Sequence, residues 1–134
     1  MYSTKTLERF KNPSFAGGLR GANATGKAED EISKDLIKIY MLIDEDGIID
    51  NAKFKAFGGV ATIVACDIAC QMLVGKSLEE ALSITEEEII SEFNDIPLDR
   101  KYCATLVEEA IKNAVEDYYK RLEKLEKKMA ESQN

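Results

Sequence analysis

Residues 53–75 read KFKAFGGVATIVACDIACQMLVG, and they join an alternating segment to a glycine pair and then to an apolar helical segment. Gly58 and Gly59 permit a sharp reversal from strand to helix, because glycine reaches backbone angles that a Cβ forbids. The first N–H groups of the following helix have no partner within the helix, so they suit an anion or a metal-bound sulfur. We therefore expect a functional site at this junction.

The helical part of this stretch carries Cys66 and Cys70, four residues apart and flanked by apolar residues. At this spacing two side chains lie on one helix face, roughly 5 to 6 Å apart at Cβ, so the two thiols can bind one ion together. Free cysteine also packs as a small buried hydrophobe. The sequence leaves both interpretations open.

The composition predicts one domain over residues 1–134, of which 45% are hydrophobic and 32% charged. No run approaches 18 apolar residues, and residues 1–11 lack a hydrophobic signal core. We therefore predict a cytoplasmic protein that does not bind membranes. The net charge of −7, without a local basic patch, argues against nucleic acid as a partner.

The chain has three cysteines and no histidine. The absence of histidine excludes Ser-His-Asp and Cys-His catalysis, and it excludes imidazole metal ligands. In a reducing compartment the odd number of cysteines indicates thiols or metal ligands rather than disulfides. Because no phosphate loop or nucleophile elbow occurs either, we predict that the protein is not an enzyme.

The first segments predict a helix and a loop. Residues 3–10 form a short helix that is capped by Ser3 and has Leu7 and Phe10 on its apolar side. Residues 15–30 are rich in glycine and alanine, which predicts a mobile loop with at most a short edge strand.

Two strands and a long helix are predicted next. Residues 36–43 are rich in Ile and Leu, and residues 48–57 alternate apolar residues with lysine, so we expect an antiparallel hairpin with a solvated lysine face. From about Arg100 apolar residues recur with helical period, and this helix runs into a charged tail, residues 120–134, which we expect to fray. The predicted fold class is α+β, a small antiparallel sheet with helices packed on one face.

Several motifs occur in an order that is typical of one family. The chain resembles the U-type iron-sulfur cluster assembly scaffolds, the IscU/NifU N-terminal fold, in residues 47–55 (GIIDNAKFK), the Phe57-Gly58 junction, residues 75–82 (GKSLEEAL) and residues 103–118 (CATLVEEAIKNAVEDY). The resemblance covers nearly the whole chain, and it implies the fold of that family.

Members of that family build one cluster on three cysteines and a nearby aspartate, and only part of this set is present here. Asp35 and Cys103 match the aspartate and the third cysteine. Ser33 replaces the first cysteine, Gly59 replaces the second, and Tyr102 replaces the histidine that precedes the third. Because a thiolate-bound cluster needs about four soft donors, the usual family site cannot be assembled from these residues.

The resemblance implies that Cys103 accepts sulfur from a cysteine desulfurase as a persulfide, or that it is a metal ligand. We expect Cys103 at the start of a long helix, where the dipole favours thiolate and lowers the pKa. An inert, partly buried thiol is the alternative. Asp35 is the second candidate metal ligand, and an ordinary turn residue is the alternative for it.

Two other metal sites are conceivable. A relocated site would use Cys66 and Cys70, although Cys66 lies two helical turns, roughly 10 Å, beyond Gly59. The acidic run Glu29, Asp30 and Glu31 suits a hard cation, but such runs are usually only solvated.

We expect a scaffold-like protein of iron-sulfur cluster assembly that accepts sulfur from a cysteine desulfurase, or binds iron or an iron-sulfur cluster at a divergent site. The alternative is a cluster-free interaction module that regulates or stabilises a desulfurase or another assembly protein. The implied partners are a cysteine desulfurase, other cluster-assembly proteins and a second copy of this chain.

Overall fold

A computed structural model describes residues 2–133. The helices and strands follow the chain in the order α1 (Thr4–Lys11), β1 (Ala24–Glu29), β2 (Leu36–Ile43), β3 (Ile49–Phe57), α2 (Val60–Leu73), α3 (Leu78–Leu82), α4 (Glu86–Phe93) and α5 (Tyr102–Ser132). A short 3₁₀ turn, Leu98–Arg100, leads into α5. None of the helices in this described range is long and apolar enough to cross a bilayer.

The three strands form an antiparallel sheet in the order β1-β2-β3. Alternate residues of β2 are buried, whereas Lys38 between them is exposed. On β3 the buried face carries Ala52 and Phe54, and Lys55 faces solvent. Helices α2 and α5 cover the buried face, so the predicted α+β class, the hairpin and the solvated lysine face are confirmed.

Strand β1 is the edge strand within the predicted loop region, and its inward residues are all small. Ala24, Gly26 and Ala28 are buried, which lets the backbone of α5 lie close to the sheet. The loop before β1 is fastened to β3, because the Gly17 amide donates to the Phe54 carbonyl at 2.8 Å. Residues 15–30 thus form a loop that is hydrogen-bonded to β3, followed by an edge strand.

Helix α1 is capped by Ser3 as predicted, but its predicted apolar side is wrong. Phe10 is 37% exposed and Leu7 is only half-buried, whereas Thr6 is buried. The reason is that polar contacts attach this helix to the domain. The Thr6 hydroxyl donates to the Asp95 carboxylate at 2.6 Å.

The strongest of these attachments is an ion pair between Arg9 and the buried Asp67. Asp67 is 1% exposed and accepts hydrogen bonds from Arg9 Nη1 at 3.0 Å and from the Phe15 amide at 2.8 Å. We predict that Arg9→Met lowers the free energy of unfolding by about 2 kcal/mol, because it leaves a buried carboxylate without its cation, although Arg9 itself is partly exposed. Urea denaturation measures this change.

Lys5→Met is the matched control, since Lys5 is exposed on the same helix. A loss for Arg9→Met no larger than the loss for Lys5→Met would contradict the assignment of a stabilising pair.

Helix α5 continues beyond the sheet through Ser132, and its residues 119–132 are exposed. Its i,i+4 ion pairs, such as Lys120 with Glu116 at 3.0 Å, lie on the surface. Fraying of residues 120–134 and a single domain over residues 1–134 stay predictions; residue 134 lies outside the described range.

Candidate functional site

Three elements bring a carboxylate, a hydroxyl and a thiol together at one end of the sheet. Asp35 directly precedes β2, Thr62 is in the first turn of α2, and Cys103 is in the first turn of α5. The Thr62 hydroxyl donates to Asp35 Oδ2 at 2.8 Å, and its oxygen lies 3.5 Å from Cys103 Sγ. All three residues are buried, so this is a polar cluster inside the domain.

Tyr102 closes the cluster on its solvent side. Its hydroxyl donates to Asp35 Oδ2 at 2.9 Å and accepts from Arg100 Nη1 at 3.1 Å. Burial and the hydrogen bond to Asp35 raise the pKa of Tyr102, so this hydroxyl keeps its hydrogen. Tyr102, which replaces the family histidine, is therefore hydrogen-bonded to Asp35, which matches the family aspartate.

The two junction glycines have different roles. A Cβ on Gly58 would lie 2.5 Å from the Thr62 hydroxyl oxygen, so Gly58 leaves the space that Thr62 occupies. A Cβ on Gly59 would meet no atom within 4 Å, and the φ of −87° suits any residue. Beside Gly59 lies a cavity of about 240 Å³, which Val60, Thr62 and Arg100 also line.

The turn before Asp35 is held by Ser33. The Asp35 amide donates to Ser33 Oγ at 3.1 Å, and the Ser33 amide donates to Asp30 Oδ2 at 2.8 Å. The hydrogen bond from the Ser33 amide lowers the pKa of Asp30. Ser33 thus shapes the turn that presents Asp35 to the cluster.

The Cys103 thiol differs from the sequence-based prediction. It has no exposed surface, and burial, with a further contribution from the charge of Asp35, raises its pKa. Thr62, Tyr102 and Arg100 offset only part of this rise. The predicted low pKa is wrong because burial and a neighbouring carboxylate outweigh the helix dipole.

Cys66 and Cys70 lie in the interior of α2 with no exposed surface. Burial raises the pKa of each thiol, that of Cys66 well above its ordinary value. Cys66 follows Thr62 by four residues and so lies one turn further along the same face. Both residues pack as core residues, and their use as relocated ligands stays a prediction.

The donor set does not fit the cluster of the family. Ser33 and Gly59 supply no thiolate, and Cys103 with Asp35 makes one soft and one hard donor. Over residues 2–133, no group of three or more His, Cys, Asp or Glu residues is placed to hold a metal ion. Cys103 and Asp35 as metal ligands, and a cation site at Glu29, Asp30 and Glu31, stay predictions.

Three large apolar side chains are exposed on segments that adjoin the cluster residues in the chain. Ile32 is 95% exposed, Phe57 is 78% exposed and Leu98 is 82% exposed. They belong to the turn before Asp35, the end of β3 before the glycine pair, and the turn before α5. We refer to these three residues as the apolar rim.

Sequence reasoning missed Thr62, although it joins the two residues that the resemblance identified. One signal was available, since Thr62 is a polar residue in the first turn of a helix whose other first residues are apolar, four residues before Cys66. Its hydrogen bonds depend on the approach of α2 to α5 and to the turn before β2, which no local pattern encodes.

The fold and the cluster define an α+β domain with a cysteine and an aspartate where the sheet meets the first turns of two helices. A model of the NifU-like N terminal domain matches residues 1–125. The chain therefore belongs to the NifU-like N-terminal domain family.

Named relatives agree with this assignment. The chain is 32% identical over 127 residues to iron-sulfur cluster assembly scaffold protein IscU 1 of Archaeoglobus fulgidus, covering 95% of this chain and 82% of the relative. It is 34% identical over 120 residues to iron-sulfur cluster assembly scaffold protein IscU of Haemophilus influenzae, covering 87% and 94%. The predicted family resemblance is confirmed.

A solved structure supports the fold independently. A crystal structure from Fervidobacterium islandicum, described as a "putative iron-sulfur cluster assembly scaffold protein for SUF system", aligns with a TM-score of 0.69 at 19% identity, covering 85% of this chain and 96% of that one. This likeness confirms the fold.

Proposed function

We propose that this chain is a scaffold-like protein of iron-sulfur cluster assembly whose Cys103 accepts sulfur from a cysteine desulfurase. This proposal is supported by one observation. Thr62 links Cys103 and Asp35 at the position of the family cluster site, whereas the other two cysteine positions hold serine and glycine. One thiol suffices to accept a sulfur atom, but it does not suffice to hold a cluster. Sulfur is therefore the cargo that this cluster of residues suits best.

The transfer needs only a thiolate and a persulfide. The Cys103 thiolate attacks the outer sulfur of the donor persulfide and forms a new S–S bond, while the donor's own S–S bond breaks. The donor cysteine leaves as a thiolate and Cys103 becomes the persulfide. No external oxidant or reductant is consumed, so the chain acts as an acceptor rather than as an enzyme.

The apolar rim suits the docking of a protein partner. Large side chains exposed on neighbouring loops are typical of protein interaction sites. Since Cys103 is buried, the site has to open before a donor can reach the sulfur. A partner that binds the rim would contact the turn before Asp35, the end of β3 and the turn before α5, and the desulfurase is the partner we propose.

We predict that Cys103 is the residue that becomes a persulfide. The measurement is mass spectrometry of the folded chain after incubation with a cysteine desulfurase and L-cysteine, and separately with glutathione persulfide, a small donor that needs no docking. Cys103→Ser should abolish the added sulfur, whereas Cys66→Ala and Cys70→Ala should retain it. Modification at Cys66 or Cys70 in the folded natural chain would overturn the assignment of Cys103.

A second function, a cluster-free module that binds an assembly protein without accepting sulfur, is favoured by the full burial of Cys103 together with the exposed rim. The two functions differ in one test. If Cys103→Ser and the natural chain bind the desulfurase equally and neither acquires sulfur, the interaction module is correct. Exchange of Phe57 for serine should weaken binding in either case.

A further inference from the structure

The hydrogen bonds around the cluster of Asp35, Thr62 and Cys103 converge on the carboxylate of Asp35. Arg100 donates to Tyr102, and Tyr102 donates to Asp35 Oδ2. Thr62 donates to the same Oδ2 from the other side. A carboxylate has acceptors only, so both hydroxyl groups direct their hydrogen toward Asp35.

The bond to Asp35 determines which hydrogen bond the Thr62 hydroxyl can make with the Cys103 sulfur. A threonine hydroxyl has one hydrogen and two lone pairs, and the hydrogen is already committed to Asp35. The contact of 3.5 Å between Thr62 Oγ1 and Cys103 Sγ can then be a hydrogen bond only if the S–H group donates to the hydroxyl oxygen. In this arrangement Thr62 accepts from the resting thiol, and it stabilises a thiolate only when its own hydrogen turns to the sulfur.

The position of Thr62 is fixed by its surroundings. Its side chain is 1% exposed and fills the space that Gly58 leaves open, where a Cβ would lie 2.5 to 2.8 Å from three Thr62 atoms. Rotation about the Cβ–Oγ1 bond alone moves the hydrogen from one acceptor to the other, since both acceptors lie within 3.5 Å of this oxygen.

We propose that Thr62 is a positioning residue that couples Asp35 to Cys103, by donating its single hydrogen to Asp35 at rest and to the sulfur once a cation occupies the Asp35 oxygen that accepts this hydrogen. Asp35 Oδ2 accepts from Tyr102 and Thr62 together at rest, whereas a cation bound at this oxygen would displace the Thr62 hydrogen, which is then free to stabilise the reactive thiolate. The proposal rests on the proposed function of Cys103, since it describes how the acceptor sulfur is held unreactive until the site is engaged.

The first test is spectroscopic and needs no sulfur donor. The S–H stretching band of Cys103, assigned by difference against Cys103→Ser, should have the lowered frequency of a donating thiol in the natural chain. Thr62→Val should shift this band to higher frequency, and Thr62→Ser should keep it. A band that Thr62→Val leaves unmoved would overturn the proposal.

The second test is a double-mutant cycle on the alkylation rate of Cys103 by iodoacetamide at one pH, read by mass spectrometry. With Asp35 present, Thr62→Val should leave the rate unchanged or raise it. In an Asp35→Ala background, where the hydrogen is free for the sulfur, Thr62→Val should lower the rate about tenfold and Thr62→Ser should not.

An equal effect of Thr62→Val in both backgrounds would overturn the coupling and leave Thr62 as packing. Circular dichroism of each variant establishes that it is folded, and the Ser variants separate loss of the hydroxyl from loss of shape. Failure of persulfide transfer to Cys103 would contradict the proposed function but would change neither the S–H band nor the double-mutant cycle. Failure of the proposed function is therefore distinguishable from failure of the proposed coupling.

Discussion

Replacing Gly26 by alanine should lower the free energy of unfolding by about 3 kcal/mol or more, or prevent folding. A Cβ at this position would lie 2.0 Å from the Ala110 carbonyl oxygen and 2.3 Å from the Ala114 amide nitrogen. Both atoms belong to the backbone of α5, so no side-chain rotation relieves the overlap. The helix would have to move off β1, and the contacts of the edge strand would be lost with it.

Gly18→Ala is the matched control, because its Cβ would meet only the end of the Lys55 side chain at 3.6 Å. Urea denaturation followed by circular dichroism measures both variants. We expect Gly18→Ala to stay within about 0.5 kcal/mol of the natural chain. A similarly small change for Gly26→Ala would show that α5 does not lie as close to β1 as described.

The parts of the fold that could be predicted are those encoded by local periodicity. Strand β2 has the bounds predicted for it, because a run rich in Ile and Leu that ends at a turn is typical of a strand. Strand β1 carries a weaker signal, since its inward residues are Ala24, Gly26 and Ala28 and none of them has high strand propensity. Their small size matters only once α5 is packed on them, and that contact is distant in sequence.

The site shows the same division. The positions of Asp35 and Cys103 followed from the family resemblance, and the structure brings the two residues to one cluster through Thr62. The protonation chemistry of Cys103 could not be predicted from its place in a helix, because burial and the Asp35 charge arise from tertiary packing. The predicted apolar side of α1 is wrong for a related reason, since its buried residue, Thr6, is hydrogen-bonded to Asp95, which lies 89 residues later.

Restoring the two missing cysteines should convert the chain into one that holds a cluster. Gly59→Cys is sterically free, because no atom lies within 4 Å of its Cβ and its backbone is extended. Ser33→Cys adds a second thiol in an exposed turn, two residues before Asp35. With Cys103, the double variant carries the three thiols and the aspartate of the family pattern, which is close to the four donors that a thiolate-bound cluster needs.

After anaerobic incubation with iron and sulfide, we expect the double variant to show stoichiometric iron and acid-labile sulfide with visible absorption bands, and the natural chain to show neither. Adding Cys103→Ala to the double variant should abolish the bands, whereas adding Cys66→Ala and Cys70→Ala should not. A stoichiometric cluster in the natural chain would contradict the donor argument. If that cluster were lost on Cys66→Ala and Cys70→Ala, the relocated site would be identified. A double variant without any cluster would show that Thr62 and Tyr102 keep Cys103 closed to metal even when its partner ligands are restored.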